Sequence, residues 1–66
     1  MYPNLKAEMA RRGVTLTDLA TATGRTVSTI SQKALGKKEW LFWETIKIKE
    51  RIGCDVPLEI LFKKEH

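Results

Sequence analysis

Gly13, Gly24, Gly36 and Gly53 divide the 66-residue chain into segments of ten to sixteen residues, each long enough for one short helix and no more. A chain of this length buries only about 60% of the surface it would expose unfolded, so its core has to be compact. With Cys54 as the only cysteine, an internal disulfide and a Cys-x-x-Cys metal cluster are both excluded. One domain covering residues 1–66, built from helices, is the expectation.

The apolar spacing agrees. Leu5 and Met9 stand four apart beside Ala7 and Ala10, Pro3 suits a first helical turn, and Gly13 suits the left-handed residue that closes a helix. Thr15-Leu16-Thr17-Asp18 is close to a capping box and starts a second helix, whose stripe is Leu16, Leu19, Ala20 and Thr23. Thr26 caps a third, with Ile30 and Ala34 inward, Val27 or Leu35 at the margin and Ser28, Thr29, Ser31, Gln32 and Lys33 outward. A fourth helix is expected over about 42–52, with Phe42, Thr45 or Ile46, Ile48 and Ile52 inward and its start at Leu41 lacking a hydroxyl cap. Pro57 opens a last turn with Leu58, Leu61 and Phe62 on one side, and residues 63–66 form a frayed tail. The fold class is all-α, a bundle of five short helices; a β ribbon at 45–49 is the one rival, because Ile46-Lys47-Ile48-Lys49 alternates.

Twelve Lys and Arg against eight Asp and Glu give a net charge of +4, and its placement carries more information than its size. Leu19 to Lys38 contains no acidic residue but holds Arg25, Lys33, Lys37 and Lys38. A one-sign field of that kind suits either a polyanion surface or a solvated helix face. The four-residue run Trp40-Leu41-Phe42-Trp43 is far too short to span a membrane, and the N-terminus lacks the pattern of a signal peptide, so a soluble, cytoplasmic protein is expected.

The second and third helices with the glycine between them fit a helix-turn-helix unit over about 15–36. Ala20 is small enough for a close helix crossing, Gly24 supports positive φ, and Leu19 and Ile30 lock the pair to the core. Gly13-Val14-Thr15-Leu16-Thr17-Asp18-Leu19-Ala20, Gly24-Arg25-Thr26-Val27-Ser28-Thr29-Ile30-Ser31 and Gly36-Lys37 resemble the Cro and phage-repressor type of helix-turn-helix proteins, the XRE or lambda-repressor-like group. The flanks, Asn4 to Arg11 and Leu58 to Phe62, are similar to small prophage-type members. The chain departs from that pattern at Leu16, where relatives often carry a phosphate-binding Gln, at Lys33, often apolar, at Ala34, often acidic, and at Leu41, often Thr or Ser.

The resemblance implies a DNA-binding transcription regulator of prophage or mobile-element type, whose third helix enters the major groove of double-stranded DNA. Base contacts then fall to Val27, Ser28 and Gln32, and phosphate contacts to Arg25, Thr26, Thr29, Ser31, Lys33, Lys37 and Lys38. Val27 equally suits half-buried packing, Ser28 and Thr29 suit plain helix-start roles, and Lys33 suits a side chain reaching out from the core edge. Arg11 and Arg12 read as a solvated helix end.

The Trp40 to Trp43 cluster is core material, Trp43 excepted, which falls off the apolar stripe. Trp43, Leu61 and Phe62 are candidate dimer contacts, because one domain this small needs a second copy on DNA for useful affinity. Leu61 and Phe62 suit core closure as well. Cys54 reads as a small buried hydrophobe, and His66 carries no argument. No acid, base or nucleophile set suggests catalysis, and no metal, cofactor or small-molecule ligand is expected. The alternative function is a protein-interaction or antitoxin-like module that keeps the fold without specific DNA binding, favoured by Leu16, Val27 and Lys33.

Overall fold

The computed structural model describes residues 2–65 and is all-helical: α1 (Pro3–Arg12), α2 (Leu16–Thr23), α3 (Val27–Ala34), α4 (Phe42–Ile52) and α5 (Leu58–Leu61). Residues 45–49 lie within α4, and no strand occurs among the described residues. His66 lies outside them.

Each early helix begins and ends for a local reason. Pro3 occupies the first turn of α1; Gly13, at φ 66°, closes it while the Gly13 and Val14 N–H groups donate to the Ala10 and Met9 carbonyls. The capping box of α2 is complete. The Thr15 hydroxyl accepts from the Asp18 N–H at 3.3 Å, and the Asp18 carboxylate accepts from the Thr15 N–H at 2.9 Å. Those bonds, the backbone one foremost, hold the Asp18 carboxyl below its ordinary range, with Arg51 nearby at 3.6 Å. Thr15→Ala removes the hydroxyl acceptor and is expected to cost about 1 kcal/mol. In a denaturant titration the midpoint should fall with the slope unchanged.

Leu5, Leu19, Ile30, Ile48 and Leu61 are fully buried; Tyr2, Val14, Ala20, Ile52 and Cys54 complete the core. Ala20 lies on α2, which packs against both α3 and α4. The rim is aromatic: Tyr2, Trp40 and Phe62 meet edge to face, with ring centroids 5.5 to 6.3 Å apart.

Three expectations are overturned. Leu61 is fully buried and presents no surface to a second copy, while Phe62 is half-buried against Tyr2 and Trp40 in the aromatic trio. Phe42 does not face inward but is 73% exposed, and Leu41 is exposed too; of the Trp40 to Phe42 run only Trp40 joins the core rim. The cause is Glu44, which takes the inward place in the first turn of α4, and a residue two positions earlier points about 200° away from it. Lys33, expected outward, is buried on α3 at 6% exposure, while Ala34 is only half-buried. α5 is also one turn long, starting at Leu58, and Lys63 and Lys64 are tied back by bonds to the Ile60 and Gly36 carbonyls.

Candidate nucleic-acid interface

α3 starts abruptly because Thr26 caps it: its hydroxyl accepts from the Thr29 N–H at 3.2 Å and donates to the Thr29 hydroxyl at 3.0 Å. That cap engages Thr26 and Thr29 with each other before any ligand is considered. Ser28 is exposed and Gln32, one turn on, is half-buried; both stand on the side of α3 opposite Ile30 and Lys33. Val27 is 43% exposed, which favours the contact role over the packing role. Ser31 turns to the other flank, onto a groove of about 210 Å³ lined with Tyr2, Leu5, Met9 and Leu16. Lys37 and Lys38 are exposed in the loop after α3.

The charge on this face is organised by a residue that sequence reasoning passed over. Glu44 is fully buried and accepts three hydrogen bonds, from Lys33 Nζ at 2.5 Å, Arg25 Nε at 2.9 Å and the Leu41 N–H at 2.8 Å. Burial pushes its carboxyl up. The hydrogen bonds from Lys33 and Leu41, the Lys33 charge and the Arg25 bond outweigh that effect and hold it below its ordinary value. Lys33 is thus spent on an internal pair and is withdrawn from the phosphate-contacting set. The same carboxylate caps α4 from its third residue, which is how a helix beginning after Leu41 manages without a hydroxyl.

Arg25 is held differently. Its Nε is bound by Glu44, its guanidinium carbon lies 5.2 Å from the centroid of the Trp43 ring, and its side chain is 38% exposed. Among the described residues only Nε is engaged, so the two terminal nitrogens stay available beside the start of α3. Trp43 is 44% exposed, as its position off the α4 stripe predicts, and supports Arg25 from below.

Comparison of the chain with protein-family models, with curated proteins and with solved structures finds no match in any of the three. The reading of this face therefore rests on its geometry and on the sequence resemblance. Arg25, Thr26, Val27, Ser28 and Gln32 come together around the first turns of α3, and Lys37 and Lys38 follow it. Lys33 does not belong, and Ser31 is turned aside. Glu44 carried one signal in the sequence: a lysine in a helix register that calls for an apolar side chain needs a buried acid, and Glu44 sits three residues past an uncapped helix start. Glu8 and Tyr2 were also missed; Glu8 is buried with Arg11 and Arg12 paired to it across one turn. Arg12 further donates to the Gly53 carbonyl, so the pair holds the end of α1 rather than a free surface.

Among the described residues no helix is long and apolar enough to cross a membrane, and no group of three or more His, Cys, Asp or Glu side chains could hold a metal ion.

Proposed function

We propose that the chain is a sequence-specific, double-stranded DNA-binding transcription regulator, of the helix-turn-helix repressor type, that occupies an operator with α3 in the major groove. The observation that carries this reading is the exposed face of α3. Ser28, the half-buried Gln32 and the apolar Val27 stand there, bordered by Arg25, Lys37 and Lys38; of the two acids nearby, Glu44 is buried and paired with Lys33 and Arg25, and Glu39 is exposed beside Lys38. Gln32 suits a two-point bond to adenine; Arg25, with its fork presented and its base fixed, suits a phosphate. Two copies on a repeated site, with half-sites about 34–36 Å apart, would raise an affinity that a single domain lacks. The role is binding, with no reaction attached to it.

A salt titration tests it. With three phosphate contacts per copy from Arg25, Lys37 and Lys38, two copies should give a slope of log affinity against log salt near −5. Replacing Lys37 and Lys38 together with alanine should reduce that slope by about two per copy for every sequence, whereas Ser28→Ala with Gln32→Ala should erase preference for a selected site and leave the slope unchanged. Binding that is absent or indifferent to salt overturns the reading and turns attention to the protein-interaction alternative.

A further inference from the structure

The outer side of α4 carries an apolar strip that the fold does not cover. Phe42, at 73% exposure, and Ile46, at 38%, stand one turn apart on it, and the strip runs on into a depression of about 490 Å³. Ile46, Gly53, Cys54 and Leu58 floor that depression, and Lys49, Glu50 and Asp55 rim it. Trp43 stands about 100° round the helix and is occupied by Arg25, so it lies outside the strip.

From this geometry we infer that α4 binds a second copy of the chain, antiparallel to itself across a two-fold axis between Lys49 and Glu50. This deepens the proposed function by naming the face that joins two copies, and two observations select a second copy as the occupant. The first is charge. The chain carries +4 and the α3 face is bordered by Arg25, Lys37 and Lys38, so a contact between copies there would set like charges against each other. The α4 rim instead carries both signs, and among the described residues none of Lys49, Glu50 and Asp55 has an ion-pair partner within the chain. An axis between positions 49 and 50 brings each lysine to the other copy's glutamate, twice, as a two-fold contact requires.

The second is shape. In that register Ile46 lies against Gly53 of the second copy, where there is open space and no side chain. Phe42, about 11 Å from the axis along α4, reaches the Leu58 end of the second copy's depression. A protruding ring at one end of a helix face and a hollow at the other is self-complementary only in the antiparallel arrangement. The contact is small: the whole molecule measures 25 × 25 × 20 Å, and a strip along one of its helices covers less than the ~800 Å² per partner of a standard interface. The free dimer is therefore weak, and DNA carrying two half-sites would add to it.

Sedimentation equilibrium of the whole chain without DNA, from about 10 µM to 1 mM, decides the matter. The expected result is a monomer–dimer equilibrium weakened at least tenfold by Phe42→Ala and by Ile46→Lys. Lys49→Glu should weaken it as well, and Lys49→Glu with Glu50→Lys should restore it, an exchange that a merely structural role would not rescue. All four side chains are partly or fully exposed, and circular dichroism should show each variant folded. A strict monomer at 1 mM, or dimers indifferent to these changes, overturns the inference. The salt slope of Phe42→Ala on random duplex tests DNA binding separately, so loss of the dimer with DNA binding kept, or the reverse, tells the two proposals apart.

Discussion

Glu44→Ala should remove about half or more of the protein's stability at 25 °C. The substitution leaves Lys33 buried with no counter-charge, and breaking a buried pair from one side costs about 3–5 kcal/mol. It also removes the acceptor for the Leu41 N–H at the start of α4. A domain of this length has roughly 3–10 kcal/mol to lose. Lys33→Met should be milder, because Glu44 keeps Arg25 at 2.9 Å and the Leu41 N–H. Replacing both partners, Lys33→Met with Glu44→Leu, should recover most of the melting temperature lost in Glu44→Ala, since no buried charge remains and only the acceptor for the Leu41 N–H is missing. Arg25 would then be released from its anchor, and affinity for DNA should fall several-fold while the fold holds. Thermal melts of the three variants check the first part and a duplex titration the second.

The same carboxyl sets a pH dependence. Its folded value lies below the unfolded one of about 4.3, so its stabilisation is fully present above that pH and is lost as pH falls through the folded value. Asp18, held down by its capping bonds, acts in the same direction. Stability should be flat near neutrality and decline below about pH 4, and the Lys33→Met, Glu44→Leu protein should show a shallower decline.

Helix ends and the α1 to α3 core were legible because the determinants are local: Thr15 and Asp18 cap, Gly13 and Gly24 terminate, and Leu19 and Ile30 repeat at helical spacing. α4 was harder. Its inward face was chosen by apolar content, which pointed Phe42 to the core, whereas an ion pair eleven residues apart in sequence set its rotation. Lys33 failed for the same reason: a single lysine reads as surface until its acid is found, and the acid lay beyond a loop. On α3 Ser28 is exposed as expected, whereas Thr29, Ser31 and Gln32 are half-buried, because neighbouring elements cover the flanks of so short a helix.

Leu61→Ala gives the second large effect and discriminates between two roles for the C-terminal turn. Leu61 is fully buried and α5 packs on α1 and α4, so truncation leaves a cavity in the middle of a small core. Such substitutions cost 2–5 kcal/mol, roughly 24 cal/mol for each Å³ left unfilled. For a domain of this size each kcal/mol lowers the melting temperature by about 4–8 °C, so a fall of at least ~8 °C is expected. A core role requires the fall to be the same at every protein concentration. A dimer contact would instead produce a loss that grows as the protein is concentrated, because mass action adds to the stability of the intact dimer only. Melting Leu61→Ala and Phe42→Ala side by side over a hundredfold concentration range separates these cases. Leu61→Ala should show a large, constant loss, and Phe42→Ala a small one that appears only at the concentrated end.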